Sequence, residues 1–555
     1  MADRGGWPVL SNTTVGMLLA TVNASIVIIS LPAIFNGIHL DPLARGNVGY
    51  LLWMLMGYML VTAVLVVSLG RLGDLYGKVR VYNAGFAVFT AASVALALTP
   101  FEDEAGALWL IGWRLAQGVG GAMLMANSTA IITDAFPPHR RGTALGVNQV
   151  AGLAGTFIGL VLGGVLSAWH WRAIFWVSVV VGAAGTWWSY RNLRERSPRR
   201  GDVRIDWAGN VTFATGLTIL LASVTYGIQP YRGRTEGWTN PLVAGGLVVG
   251  AGLLAAFCVI ETRVRDPMFN LRLFRVQAFW AGNLATLFNA IARGGLQFML
   301  IIWLQGIWLP LHGYDFAETP LWAGIYLLPL TLGFVVAGPL SGHLSDRYGA
   351  RLFATGGLLV MAASFVGLLL LPVNFAYPGF ALLLAVNGIG SGLFSAPNTT
   401  AVMNSVPAAE RGAASGIRAT FQNTGMVLSI GVFFSLLVAG LSNSLPATLR
   451  TDLTARGVPP PAADAVAAVP PVELMFSAFL GVNPLGTLLQ AAGVLDTLPA
   501  GTVQALTDRM FLPRLLSGPF HDGLTVVFVL AAALSVAAAV VSLFRGGIYI
   551  HDEDT

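Results

Sequence analysis

The chain has 555 residues, 55% of them hydrophobic and only 10% charged, with a mean hydropathy of +0.72. A water-soluble fold of this size has no interior large enough for so much apolar surface, so the composition excludes a soluble globular protein and leaves a polytopic membrane protein. The single cysteine, Cys258, excludes an internal disulfide and any cysteine-based metal site, and the net charge of +5 comes from arginines dispersed among short connections, which is not the pattern of a nucleic-acid partner.

At roughly 20 residues per crossing, the apolar runs divide into about fourteen spans. The N-terminus is short and polar without a cleavage pattern, so the first run stays in place as span 1, Val15 to Gly37. Span 2, Tyr50 to Leu69, ends in the turn Gly70-Arg71-Leu72-Gly73-Asp74-Leu75-Tyr76-Gly77-Lys78-Val79-Arg80, and span 3, Val81 to Leu98, begins at once. Glycines let the two helix ends approach, Asp74 can face a helix N-terminus, and Lys78 and Arg80 suit cytoplasmic headgroups. Spans 4 to 6 read as Gly106 to Thr133, Gly142 to Ala168 and Ala173 to Tyr190; Trp207 to Ile228 and Pro241 to Ile260 make spans 7 and 8. Spans 9 to 12 are Ala278 to Leu304, Pro320 to Gly338, Leu352 to Leu371 and Gly379 to Val402. Spans 13 and 14, Ser415 to Leu441 and Gly523 to Phe544, flank the only long hydrophilic connection. It holds Pro459-Pro460-Pro461 and Pro470-Pro471 and reads as a partly ordered outer cap, with short amphipathic helices over Pro484 to Ala492 and Thr502 to Leu516.

The turn after span 10, Gly342-His343-Leu344-Ser345-Asp346-Arg347-Tyr348-Gly349-Ala350-Arg351, repeats the turn after span 2 at an offset of 272 (70 to 342). A second echo runs at 270, from Gln117-Gly118-Val119-Gly120 to Asn387-Gly388-Ile389-Gly390 and from Arg141-Gly142 to Arg411-Gly412. Eight spans separate the two turns where six would serve two abutting bundles, so an extra pair was inserted. The expected organisation is a six-helix bundle over 1–190, two inserted spans with cytoplasmic linkers over 191–276, and a second six-helix bundle over 277–555 that includes the outer connection 442–521. With the N-terminus inside, most of the 31 Lys+Arg fall on cytoplasmic segments, and an even number of spans brings both termini into the cytoplasm.

Charges inside the bilayer cost about 2.5–3.5 kcal/mol on insertion scales, so each is a functional candidate. No Asp or Glu lies well inside a span; the interior charges are arginines. Arg114 stands early in span 4 with Gln117 one turn on. Asn289, Arg293 and Gln297 share one face of span 9, a stripe that belongs toward a central cavity. Arg418 and Gln422 form a similar pair nearer the cytoplasmic end of span 13 and read as an anchor. Asn387, Ser391 and Ser395 read as packing in span 12, and Trp53 and Tyr58 as either cavity lining or packing. In span 5, Gly155, Gly159 and Gly163 recur every fourth residue, with Gly164 beside them, a face for close helix contact. The seven histidines fall outside the deep spans and show no metal-ligand spacing, so neither metal nor cofactor is implied.

The paired turns, both G-x-L-[GS]-D-x-Y-G, and two matching halves with two added spans resemble the fourteen-span drug:proton antiporter-2 family of the major facilitator superfamily. Trp113-Arg114-Leu115-Ala116-Gln117-Gly118, Trp171-Arg172-Ala173-Ile174-Phe175, Pro267-Met268-Phe269, Leu271-Arg272-Leu273-Phe274 and Leu304-Gln305 support the likeness. The resemblance implies an all-α polytopic fold in the bacterial cytoplasmic membrane. It implies no enzyme but a monomeric secondary transporter that exports small amphipathic compounds by proton antiport and alternating access. It also implies a proton-coupling part for Arg114 and a gating part for Gly70, Asp74, Gly77, Lys78, Arg80, Gly342, Asp346 and Gly349. Three departures stand out: Asn23 where an Asp is typical, Gly159-Leu160-Val161-Leu162-Gly163-Gly164 where Gly-Pro-x-x-Gly-Gly is usual, and Ser178 and Val180 where Asn and Pro are common. With Arg114 and Arg293 present and no membrane carboxylate, a second reading is a transporter of an anionic metabolite or lipid without standard proton coupling. A membrane-embedded enzyme is the third; no acidic pair, His–Glu motif or nucleophile constellation favours it.

Overall fold

The computed structural model describes residues 6–41, 47–136, 138–195, 206–227, 231, 237–264, 267, 269–407 and 411–546. Among these, fourteen helices are long and apolar enough to cross a membrane. In chain order they are Trp7–Gly37, Asn47–Tyr76, Lys78–Ala97, Asp103–Ala135, Pro138–Trp169, Ala173–Asn192, Trp207–Gly227, Pro241–Glu261, Gln277–Leu311, Thr319–Tyr326 continued by Leu328–Tyr348, Ala350–Leu369, Tyr377–Asn404, Arg411–Ala455 and Phe511–Leu543. They keep the numbers span 1 to span 14. The break in span 10 at Leu327 comes just ahead of Pro329. The π turn Leu304–Trp308 in span 9 comes just ahead of Pro310, which has no N–H to offer the carbonyl of Gly306.

The packing repeats along the chain. Span 1 packs on 5 and 6, span 2 on 4, and span 3 on 4 and 6; correspondingly span 9 packs on 13 and 14, span 10 on 12, and span 11 on 12 and 14. Individual contacts repeat as well. Gln117 Nε2 donates to Ser93 Oγ at 2.8 Å, and Asn387 Nδ2 donates to Ser364 Oγ at 2.7 Å. At the matching helix crossings backbones touch: a Cβ on Gly120 would lie 2.9 Å from Gly85 O, and one on Gly390 2.6 Å from Gly357 O. Small residues at these sites let van der Waals packing act where lipid supplies no hydrophobic drive. The two signature turns reverse direction at Gly77 (φ 110°) and Gly349 (φ 86°), a backbone region that side chains strain to enter.

Spans 7 and 8 pack on each other, and span 7 touches both span 2 and span 13. Thr225 Oγ1 reaches Met56 Sδ at 3.7 Å, and Trp238 Nε1 donates to Ser435 Oγ at 3.1 Å. The inserted pair thus lies against helices from both halves. Span 8 leaves Leu242, Val248, Val249 and Val259 exposed, a face suited to acyl chains.

The connection expected over 442–521 is shorter and more apolar than its hydropathy suggests. Span 13 continues to Ala455 and span 14 already begins at Phe511. The extension of span 13 is amphipathic: Leu445, Leu449 and Leu453 are buried at every fourth position, whereas Arg450 points out. Hydropathy averaged over a window loses such a helix, because one face is polar. Between the two spans, the helix Pro471–Phe479 is buried almost throughout and packs on the π turn of span 9. There Gly306 leaves room for it, since a Cβ would lie 3.1 Å from Phe479 Cα. Short helices do form at Leu485–Ala491 and Ala500–Thr507, but the residues after Met510 belong to span 14. His521, expected in the connection, therefore lies inside a span, its ring 6.4 Å from that of Trp303.

Candidate functional site

Arg114 is only 2% exposed, and its guanidinium meets spans 1 and 2 and its own span 4 directly. Nη1 donates to Asn23 Oδ1 of span 1 and to Gln117 Oε1 at 2.8 Å; Nε donates to the carbonyl of Met54 in span 2 at 3.3 Å. The Tyr58 ring lies 4.6 Å from its Cζ, and Tyr58 OH donates to Ala20 O at 3.1 Å. Gln117 carries the network to Ser93 of span 3, and Asn23 Nδ2 carries it to Ser178 Oγ of span 6 at 3.2 Å. The buried cation is thus met by amide oxygens, a carbonyl and an aromatic face, each neutral. Two of the three departures from the family pattern, Asn23 and Ser178, prove to be hydrogen-bond partners.

Arg293 forms a second centre. Its Cζ sits 4.9 Å from the centre of the Phe334 ring, and it borders two small cavities. One, of about 10 Å³, lies between Arg293 and Gln297 of span 9, Leu330 and Phe334 of span 10, and Thr156 and Leu160 of span 5. The other, of about 30 Å³, is lined by Asn289 and Arg293 together with Phe394, Asn398, Arg418 and Gln422. Each has room for no more than a few water molecules. The stripe Asn289, Arg293, Gln297 does face cavities, with Arg293 shared by both.

Arg418 and Gln422 were expected to anchor the cytoplasmic end of span 13, but they face the same cavity as Arg293, with Arg418 Nη1 donating to Gln422 Oε1 at 3.2 Å. The sequence signal was there: Arg293 and Gln297 have the same i, i+4 spacing. Leu160, which stands where the family pattern has a proline, also lines a cavity, a place that the pattern alone did not signal. Asn387 and Ser391 turn away into packing, toward Ser364 Oγ and Met361 Sδ, while Ser395 lines the cavity. Trp53 and Tyr58 line neither cavity; Trp53 packs against Tyr226, ring centres 5.9 Å apart.

Span 5 holds the seam together. Gly155, Gly159 and Gly163 lie against span 1, where added Cβ atoms would come within 3.0 Å of Leu18 O, 2.5 Å of Val22 O and 2.8 Å of Ile26 O. Gly164 points the other way, and its Cβ would lie 2.4 Å from Leu321 Cα of span 10. Gln305 Nε2 of span 9 donates to Ile29 O of span 1 at 3.3 Å. The Gly164–Leu321 and Gln305–Ile29 contacts lie at the end of the molecule away from the signature turns, while span 2 packs on span 13 nearer those turns, with Gly416 beside Val67.

At the first signature turn, Glu195 is the acid that meets a helix N-terminus: its Oε2 accepts from Val79 N at 3.1 Å. Lys78 Nζ pairs with Asp134 Oδ2 at 2.8 Å, and Arg80 is exposed. Gly70 and Gly342 occupy equivalent places, with added Cβ atoms 3.6 Å from Ala126 Cβ and Ala396 Cβ. The side chains of Asp74 and Asp346 lie outside the described residues. Among the described residues no group of His, Cys, Asp and Glu is arranged to hold a metal ion.

Two repeated sets of membrane helices that meet at a polar seam with buried arginines define a multi-pass membrane transporter. The chain belongs to the major facilitator superfamily, whose profile matches residues 13–430. It is 32% identical over 455 residues to the multidrug resistance protein Stp of Mycobacterium tuberculosis, covering 81% of this chain and 78% of that protein. It is 26% identical over 545 residues to the tetracenomycin C resistance and export protein of Streptomyces glaucescens, covering 97% and 91%. Among solved structures it is similar to a bacterial homologue of the lysosomal transporter Spinster in an inward-facing, unoccupied conformation, with a TM-score of 0.55, 17% identity and 98% of each chain covered. The family expected from the paired turns is the family found, and these relatives are transporters, not enzymes.

Proposed function

We propose that the protein is a monomeric exporter in the bacterial cytoplasmic membrane, with both termini in the cytoplasm. It carries small amphipathic compounds outward by alternating access and proton antiport. Residues 1–190 and 277–555 are the moving bundles, and 191–276 lean on both. The observation that supports this reading is the cavity at Arg293, lined from span 5 of one half and spans 9 and 10 of the other. A cavity shared by two bundles opens toward one membrane face or the other as they rock. In the present arrangement the Gly164–Leu321 and Gln305–Ile29 contacts close the end away from the signature turns.

Proton coupling belongs to the network around Arg114, which ties span 1 to spans 2, 3, 4 and 6. The names of the relatives, multidrug resistance and tetracenomycin C resistance and export, favour the same substrate class. The test is transport by the purified chain in proteoliposomes, with an amphipathic dye and an imposed pH gradient. Dye accumulation that a protonophore abolishes is the expected result. Equilibration at the same rate with and without the gradient would overturn antiport.

A further inference from the structure

The arginines inside the membrane differ in what answers their charge. Arg114 is surrounded by acceptors within its own bundle. Arg293 has no hydrogen-bond acceptor among the described residues; its contact is the Phe334 ring. Among the described residues Arg418 bonds only to Gln422, and its Nε is buried without a partner. Both guanidinium groups border one cavity, and every residue lining that cavity or its neighbour is neutral or basic. A buried donor on a charged group costs more to leave unanswered than a neutral one, so a protein acceptor here would be the ordinary solution. Among the described residues the Oε1 of Gln422 is the one acceptor the pair has, and no carboxylate lines either cavity.

The surroundings are also shaped for part of a molecule. Asn289 and Gln422 add amide groups, the amide of Asn398 being held by Gly282, Thr286 and Arg545, while Phe334, Phe394, Met426 and Leu160 add apolar faces. Arg418 stands about two turns into span 13 from the signature-turn end, and Arg293 halfway along span 9. The two charges therefore mark a path from that end to the middle of the membrane.

We propose that this cavity, once opened, binds the anionic group of an amphipathic aromatic solute: a carboxylate, sulfonate or phosphate clasped by Arg293 and Arg418, with the rings held on Phe334 and Phe394. The proposal rests on the exporter reading and narrows it, because two cations with no carboxylate beside them repel a cationic solute. Arginine suits the task, since its planar fork matches the oxygens of such groups.

The test uses the full chain in phosphatidylcholine proteoliposomes and three probes: anilinonaphthalenesulfonate, its parent phenylnaphthylamine without the sulfonate, and ethidium. Saturable transport of the sulfonate is expected to exceed that of the neutral parent by about tenfold, and Arg293→Gln should lower that ratio by about tenfold while Arg293→Lys, which keeps the charge but not the fork, lowers it by less. Equal handling of sulfonate and parent, or a ratio unmoved by both Arg293→Gln and Arg418→Gln, overturns the anion site and leaves the exporter reading intact. Transport of none of the three overturns the exporter reading itself. If the variants fail to fold, competition on the wild-type chain decides: benzoate should displace the sulfonate and benzylamine should not, and the reverse overturns the site. Phosphatidylglycerol added to the vesicles separates two sources of the same chemistry. Competition by it identifies a lipid headgroup as the anion, and indifference to it identifies a free solute; the site stands in either case.

Discussion

Asn23 donates from Nδ2 to Ser178 Oγ at 3.2 Å while its Oδ1 accepts from Arg114, so one amide joins spans 1, 4 and 6. An Asp at this position would answer the charge of Arg114 but could not donate to Ser178. The amide does both without charge. Two substitutions that looked separate in the sequence are therefore one arrangement in space.

Asn23→Leu removes an acceptor from a buried guanidinium and a donor from Ser178, and it should destabilise the protein by about 1–3 kcal/mol. Asn23→Asp keeps the acceptor and adds a titratable group, so transport should depend more steeply on an imposed pH gradient. Thermal unfolding in detergent and flux at several gradients check the pair. Wild-type stability in Asn23→Leu would remove the network from the account.

Neighbouring glycines of span 5 should give different results. Gly159→Leu overfills a contact within one half, against Val22 O, and should cost about 1–3 kcal/mol of stability. Gly164→Val pushes on Leu321 of the other half, and the expected outcome is a shift toward the state open at the end away from the signature turns. A spin-label distance between the far ends of spans 5 and 10 should lengthen in Gly164→Val and stay at the wild-type value in Gly159→Leu.

The signature turn offers a third comparison. Gly77→Ala forces a side chain onto a φ of 110° and should cost about 1–3 kcal/mol. Glu195→Gln weakens the anion at the start of span 3 and should cost about 0.3–1 kcal/mol. Asp74→Asn should slow turnover more than it weakens substrate binding. Steady-state flux set beside equilibrium binding separates these, and an effect of Asp74→Asn on affinity alone would count against gating.

Topology is the broadest prediction. Reporter fusions after residues 75 and 347 should report the same side of the membrane, the side that also carries both termini. Opposite sides would dismantle the repeated architecture.

Much of this was readable from residues alone. Fourteen spans follow from runs that a bilayer requires to be apolar, and the repeat follows from two turns in register. The glycine face of span 5 was legible because its period is that of a helix. The ends of spans 13 and 14 were not, since Leu445, Leu449 and Leu453 mark one face of a helix whose other face is polar. Glu195 looked like linker, because its role depends on where span 6 ends relative to span 3.

What the sequence by itself determined is the class of protein: number of crossings, repeat, family and the rarity of charge within the membrane. Each of these depends on composition or period, which survive without coordinates. Only the tertiary structure decided which polar groups meet. It joined Asn23 to Ser178, turned Arg418 toward Arg293 and gave Leu160 a place in the cavity. Such meetings depend on the rotation of each helix about its axis and on the neighbour it faces, and packing across distant segments sets both.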